Sequence, residues 1–423
     1  KPYIIDSPET SASYGYSAGL SSPKDRIMYR SDTGKIMFIY FTGTKLVFKT
    51  STDEGANWSS NTDIVTGVLP YFDSCIDSSK NIYIVYAYNG PVYLHKLTYS
   101  SGSDSWSVTS GYPKIVNSQY NWPTVAKESG GRIWVAYYSG KNSTYNLCIK
   151  YSDDDGATWS SETDLHTTGG YVYAKIFAFG NKIACIYQQS SYLMFKWRNN
   201  SDSPSTWQDE YYILTSLAGA DSDFSIAVTS DNNIWVLLDS YIGGGNYKEY
   251  ILMYNGTYWL KFTNPAGYLS ANNSFSPCLI TDGSNLWALW KVRNTSTNVF
   301  DSIVYKKYNA GTSTWDGSTT ALATSLGIIN FDKVYLWDSV TSVISDKITE
   351  ANNVTTSDVI NASNVMLSAV GDEIIFGSST KFNNIFYTPG VVGAGGVVAW
   401  EYSAGGTNWT SFSPEATTNF TSY

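Results

Sequence analysis

The chain has 423 residues, more than one ordinary core needs, so length alone predicts a second unit; its 27 basic against 36 acidic residues give a formal net charge of −9 and argue against nucleic acid and anionic membranes as partners. Only 15% of residues are charged, so the surface has to be made of Ser, Thr, Asn and the 35 Tyr, which suits an extracellular protein that meets sugars or other chains. No apolar stretch has helical period or membrane length, which predicts an all-β chain with no membrane insertion in this segment.

In chain order, six hairpins of β-branched and aromatic residues recur. They run Arg26 to Tyr40 around Gly34, Cys75 to Tyr86 around Ser79-Lys80-Asn81, and Thr124 to Tyr137 around Gly130-Gly131. Lys175 to Tyr187 around Gly180-Asn181, Ser225 to Leu238 around Asp231-Asn232-Asn233, and Cys278 to Trp290 around Asp282-Gly283-Ser284 complete the series. After each hairpin comes a third run that ends at a small-polar turn and a Trp: Trp58, Trp106, Trp159, Trp207, Trp259 and Trp315, at intervals of 48, 53, 48, 52 and 56 residues. A fixed period of this size marks a repeat architecture, and four strands per period predict a six-bladed β-propeller over residues 1–328.

Beyond residue 328 the pattern stops. Residues 346–364 are rich in Asn, Ser and Thr, whereas Glu373-Ile374-Ile375-Phe376 and Val397 to Tyr402 read as strands, which predicts a small β-sandwich over 329–423. A start at Lys1 and an end at Asn419-Phe420-Thr421-Ser422-Tyr423 lead us to expect a piece of a longer protein, with any signal peptide already removed.

Two of the Trp turns have one shape, Ser51-x-Asp53-x-Gly55-x-x-Trp58 and Ser152-x-Asp154-x-Gly156-x-x-Trp159. An Asp that bonds its own turn, a Gly free to take positive φ and an anchoring Trp make a tight corner of fixed geometry. This shape resembles the Asp-box, or bacterial neuraminidase repeat, of the sialidase-like β-propellers. The echo at Tyr402 to Trp409 is one residue short and lacks the Asp.

That resemblance implies a site in which three arginines grip a carboxylate, a Tyr activated by Glu is the nucleophile and an Asp is the acid/base. Of five Arg in the chain, Arg26 stands where the family opens its first blade with Arg-Ile-Pro, here Arg26-Ile27-Met28 without the Pro. Arg198 falls towards the opposite end of its blade, and Arg293 has the right end but no identifiable partner. The loop expected to hold the acid/base Asp is Phe41-Thr42-Gly43-Thr44, with no carboxylate. The resemblance therefore implies a non-catalytic member.

Other chemistry has little material. With His95 and His166 the only histidines, a Ser-His-Asp triad or a His-rich metal site is not expected, and no cofactor or metal is foreseen. The four Cys, at 75, 148, 185 and 278, lie in strand runs at apolar spacing and read as small core residues. Asp25, Asp73 and Asp223 lie just before inner strands, where a propeller's axial mouth collects side chains; with Arg26 they are the catalytic candidates of the alternative reading, a secreted glycoside hydrolase. Turn-forming Asp at a strand start is the competing account.

Aromatics point to binding instead. Tyr71, Tyr120, Trp122, Tyr171 and Tyr173 precede inner strands, and Tyr88, Tyr138 and Tyr241 follow second strands, so all eight are expected at one end of the blades. Flat rings with polar tips stack on sugar faces and also anchor protein interfaces; ordinary surface Tyr is the alternative in so Tyr-rich a chain. Sequons at Asn142, Asn199, Asn255, Asn272, Asn294, Asn353, Asn361, Asn408 and Asn419 are candidate glycosylation sites, and a tenth, Asn57, falls inside the first corner. These features together predict a non-catalytic surface component of a cell, filament or virion that recognises glycans or proteins, with the second unit serving self-assembly or a stalk.

Overall fold

The structure is a computed structural model of the whole chain. It describes residues 26–324 except 32, 43, 54, 56, 68–71, 88–89, 119–120, 140–144, 169–171, 190–191, 216–223, 244–245, 262–268, 271–273 and 294–299, and beyond residue 324 only five short strands. Among the described residues every regular element is a strand. The chain divides into two compact units, residues 1–327 and 328–423.

Six antiparallel sheets follow one another along the first unit, a six-bladed β-propeller. Blade 1 is β1 (Arg26–Arg30), β2 (Ile36–Phe41), β3 (Lys45–Ser51) and β4 (Thr62–Thr66). Blade 2 is β5 (Phe72–Ile76), β6 (Ile82–Ala87), β7 (Val92–Ser100), β8 (Ser105–Val108) and β9 (Lys114–Asn117). Blade 3 is β10 (Asn121–Lys127), β11 (Ile133–Ser139), β12 (Tyr145–Ser152) and β13 (Thr163–Thr168). Blade 4 is β14 (Tyr173–Phe179), β15 (Lys182–Gln189), β16 (Tyr192–Asn199) and β17 (Tyr211–Leu214). Blade 5 is β18 (Phe224–Val228), β19 (Ile234–Gly243), β20 (Asn246–Tyr254) and β21 (Trp259–Lys261). Blade 6 is β22 (Ser274–Thr281), β23 (Leu286–Arg293), β24 (Phe300–Asn309), β25 (Thr314–Trp315) and β26 (Thr320–Thr324). In blades 2 and 6 the outer strand is broken, so β8 and β9 both pair with β7, and β25 and β26 both pair with β24.

The seams between blades are the core. Side chains alternate along each strand, so the two faces of a blade pack on its two neighbours. Trp134, Ala136 and Ile149 of blade 3 meet Ile176, Cys185 and Met194 of blade 4; Ile186 and Phe195 of blade 4 meet Val236 and Leu252 of blade 5. The seams of blades 1 with 2, 2 with 3 and 5 with 6 are filled in the same way. Each fully buried Leu, Ile or Phe contributes on the order of 1.5–3 kcal/mol relative to exposure.

First strands of neighbouring blades lie side by side, β5 with β10, β10 with β14 and β18 with β22, and a polar stitch recurs there. Asp73 Oδ2 accepts the Val125 N–H at 3.0 Å and the Thr124 hydroxyl at 2.6 Å. Thr124 Oγ1 accepts the Ile176 N–H at 3.1 Å, and Ser225 Oγ accepts the Leu279 N–H at 3.0 Å. Backbone donors that an edge strand would leave unpaired are thus satisfied across the seams.

Inner strands begin earlier than the sequence suggests. Trp122, Tyr173 and Asp73, expected ahead of the strands, lie inside β10, β14 and β5, and Tyr138 and Tyr241, expected after the second strands, lie inside β11 and β19. Proline is the reason in two blades. Register shifts between Asn121 and Thr124 and between Phe275 and Cys278 fall at Pro123 and Pro277, where the missing N–H opens a bulge that the strand then crosses.

In the second unit β27 (Lys333–Asp338) pairs with both β28 (Val343–Asp346) and β29 (Glu373–Gly377). A hairpin joins β30 (Glu401–Ser403) to β31 (Trp409–Ser411), at the echo of the corner motif. The remainder of the sandwich expected over 329–423 lies outside the described residues.

Candidate functional site

Each blade has two ends. The hairpin turns and Trp corners lie at one, the corner end; inner strands start and second strands stop at the other, the mouth end. Of the eight aromatics expected at the mouth, Tyr71, Tyr88, Tyr120 and Tyr171 lie outside the described residues. Three of the rest are brought together. Trp122 stands between Tyr138 and Tyr173, with ring centroids 5.2 Å from each and planes tilted by 35° and 30°. Tyr138 is buried, whereas Trp122 and Tyr173 are half-buried. Tyr241 is not in this group; it packs on Tyr247 in blade 5 at 5.2 Å.

The bulge at Pro123 gives Trp122 a φ of +53°. For a bulky residue this backbone region costs on the order of 1–3 kcal/mol and is held only by its surroundings. Here the indole packs on the core between blades 3 and 4 and on the two Tyr rings. Part of the residue stays exposed, and it lies at the end where the inner strands begin.

The catalytic candidates lie in different surroundings. Asp25 and Asp223 fall outside the described residues, and Arg26 opens β1 with its side chain likewise outside. Asp73 is 1% exposed; besides its stitch to blade 3 it takes the Lys175 ammonium at 2.5 and 2.6 Å, an ion pair from blade 2 to blade 4. Its carboxylate is fully engaged in holding inner strands together. Sequence reasoning missed a second acidic feature, Asp239 and Glu249. They face each other directly across β19 and β20 and are 4% and 0% exposed. Alternation with Trp235 and Leu237, both core residues, is the signal that could have put Asp239 inside.

At the corner end the two Ser-x-Asp-x-Gly-x-x-Trp turns share the same Asp and Ser bonds to the backbone. Asp53 Oδ1 accepts the Asn57 N–H at 2.8 Å and Ser51 Oγ accepts the Gly55 N–H at 2.8 Å; Asp154 Oδ1 accepts the Thr158 N–H and Ser152 Oγ the Gly156 N–H, again at 2.8 Å. Gly55 and Gly156 have φ of +91° and +86°. The hydroxyl and N–H of Thr158 hold the Asp154 carboxyl down at about 2. Trp58 Nε1 donates to the Gly55 carbonyl at 3.0 Å, and the Trp159 ring packs against the seam between blades 2 and 3.

Cys148, Glu162 and Asp164 form the one group of metal-ligand type among the described residues. Its donors already serve one another and their neighbours: Cys148 Sγ donates to Asp164 at 3.2 Å, and Glu162 accepts from Tyr137 at 2.8 Å and Asn117 at 2.7 Å. Burial raises the thiol well above its ordinary value, which disfavours the thiolate a metal needs. All four cysteines are free. Of the sequons, Asn255 is exposed, with its Oδ1 accepting the Thr257 and Tyr258 N–H groups at 3.0 Å. Asn199 is half-buried, its amide donating to Asp202 at 3.0 Å. The other seven candidates lie outside the described residues.

No protein-family model matches the chain, and no curated protein sequence does. Among solved structures, an ulvan lyase of a polysaccharide lyase family, bound to -[GlcA(1-4)Rha3S]-, is similar with a TM-score of 0.50 at 11% identity, over 78% of this chain and 90% of that one. The Trypanosoma rangeli sialidase in complex with the inhibitor DANA gives a TM-score of 0.44 at 13% identity, over 67% of this chain and 54% of that one. The Aleuria aurantia lectin in complex with alpha-methyl-L-fucoside gives 0.43 at 13% identity, over 72% and 96%. At 11% identity, the likeness to the lyase is one of fold alone.

Proposed function

We propose that the chain is a sialidase-like Asp-box propeller without catalytic activity, which recognises glycans at the mouth end and is displayed outside the cell on a cell surface, filament or virion. Trp122 carries this reading. A Trp kept at φ +53° between Tyr138 and Tyr173 is a strained residue retained where stacking on a sugar face would repay rigidity. Propellers of this fold include one that holds a polysaccharide, and the sparsely charged, Tyr-rich composition fits an extracellular setting. The second unit, 329–423, is in this reading a small β-sandwich that connects the propeller to a stalk or a neighbour.

The full chain on a glycan array, with release of sugar assayed on every hit, tests the proposal. Binding without turnover is expected. Trp122→Ala should weaken binding by about thirtyfold, the effect of losing an interface Trp worth about 2 kcal/mol. Tyr258→Ala, at an exposed corner-end position, should leave it unchanged. Equal affinity of Trp122→Ala and parent would remove the mouth platform from consideration. Turnover abolished by Asp239→Asn would instead favour a glycoside hydrolase built on the Asp239 and Glu249 pair, a different set of carboxylates from the Asp25, Asp73 and Asp223 of the sequence-based alternative.

A further inference from the structure

We infer that the seam between blades 3 and 4 holds a second sugar subsite at its outer end, built on Tyr192 and Tyr212. The ligand is then an extended oligosaccharide lying along the seam from axis to rim, not a single terminal sugar; the inference rests on the glycan-binding reading above. Exposed aromatics scattered singly are ordinary. These two are paired: Tyr192 and Tyr212 are 42% and 48% exposed, and their ring centroids lie 5.6 Å apart with planes at 80°. Tyr192 opens β16 and pairs with Gln189, the last residue of β15, which puts it at the mouth end. Tyr212 pairs with Met194 across β16 and β17, and Met194 belongs to the seam cluster on which Trp122 packs. Trp122 on a first strand and Tyr212 on a fourth strand thus mark the two ends of one seam, three strand spacings or about 14 Å apart.

The rim pair is braced by the groups beside it. Glu210 accepts the hydroxyl of Tyr187, a fully buried residue, and its Oε2 lies 2.6 Å from Nδ1 of His166 on blade 3. The charge of Glu210, with a hydrogen bond to it, pushes the Tyr212 pKa up, so the phenol stays a neutral donor tied to that carboxylate. His166 Nε2 lies 2.9 Å from Oε1 of Gln189, the cross-strand partner of Tyr192. A ring held in this way has less freedom to lose when a ligand arrives, and that pre-organisation favours binding. The His166 and Glu210 side chains are 15% and 17% exposed, so this polar edge is reachable from solvent. Two rings at 80° make a corner: the C–H face of a pyranose stacks on one ring, and its hydroxyls reach the phenol oxygens and the polar edge.

The test measures, by calorimetry on the full chain, the affinity of an oligosaccharide that binds on the array and of its shorter homologues down to the single sugar. The expected result is an affinity that rises with chain length, by about tenfold or more once both platforms are spanned. Tyr192→Ala combined with Tyr212→Ala should abolish that gain and leave the short ligands, held at Trp122, unchanged. Its thermal melt should match the parent, because both side chains are exposed. Tyr212→Phe, which keeps the ring and loses the tie to Glu210, should retain part of the gain. Affinity independent of chain length, or a gain that survives the double substitution, would overturn the inference while leaving glycan recognition at Trp122 standing. Failure of every glycan would overturn both.

Discussion

At the corner end of blades 3 and 4 a buried ion pair and the bonds of a tight turn tie the strands together, while the mouth end of the same strands carries a strained aromatic group. Glu128 takes the Trp134 indole N–H at 2.6 Å and the Arg198 guanidinium at 2.8 Å, and the Arg198 guanidinium lies 4.9 Å from the Trp134 ring centroid. Trp122, at the other end, sits at φ +53° between two Tyr rings. One end fixes the blades against each other, and the other holds a bulky residue at positive φ beside the Pro123 bulge. Separating stability from recognition in this way lets one end be altered with little effect on the other.

The sharpest way to break that separation is Glu128→Ala. It leaves the guanidinium of Arg198, 0% exposed, without its carboxylate and the Trp134 N–H without an acceptor. Stranding one member of a buried pair costs about 3–5 kcal/mol, so the urea midpoint should fall accordingly while glycan affinity of the folded protein holds. A loss below about 1 kcal/mol would mean that water reaches the guanidinium, and a parallel loss of affinity would mean that the two ends are coupled.

Next in size is the contrast between the two corners themselves. A Cβ on Gly156 would come within 2.7 Å of Leu94 Cδ2, and Leu94 is fully buried in the seam between blades 2 and 3, so it has little room to turn away. On Gly55 the nearest atom is Trp58 Cζ2 at 3.5 Å, an ordinary contact. Gly55→Ala should therefore cost about 1 kcal/mol for its positive φ alone, and Gly156→Ala about 2–3 kcal/mol because overpacking is added. Parallel thermal melts decide it; equal losses would show that Leu94 gives way.

These corners also show what the chain made legible. Blade number and the roles of Ser51, Asp53, Gly55 and Trp58 could be read because they are local: the turn residues bond within their own loop, and the Trp period counts the blades. Strand starts were misjudged at Thr124 and Cys278, where the expected hairpins began one residue past Pro123 and Pro277 but the structure carries the strand back across a bulge. The partners of Asp73 were hidden, since Thr124 and Lys175 lie 51 and 102 residues away and meet it only when three blades are assembled. The Trp122 trio was half legible: its members were named, but their convergence depends on a positive φ that sequence pattern does not encode. Asp239 and Glu249 escaped because acidic residues in a strand read as solvated unless the alternation with Trp235 and Leu237 is followed through.

The smallest expected effect concerns how the corner end links blade 2 to blade 1. Asp104, in the turn between β7 and β8, accepts hydrogen bonds from the Thr33 hydroxyl and, at 2.6 Å, from Tyr99, and the Lys35 ammonium lies 3.5 Å away. These contacts, the Thr33 bond foremost, hold its carboxyl down at about 2, against about 3.9 in an unfolded chain. A depressed folded pKa means the unfolded state binds the proton more readily, so the contribution is present in full above about pH 4 and disappears as pH falls towards 2. Because the turn is solvated, screening keeps the effect modest. Asp154 titrates in the same range, so the measurement is a difference: the Tm of the parent minus that of Asp104→Asn, followed from neutral pH downward. The gap should be constant above pH 4 and close towards pH 2. A gap that stays the same throughout would show that the Asp104 charge does not tie blade 2 to blade 1, leaving the apolar seam of Met37, Ile39, Ile82 and Ile84 to hold that junction.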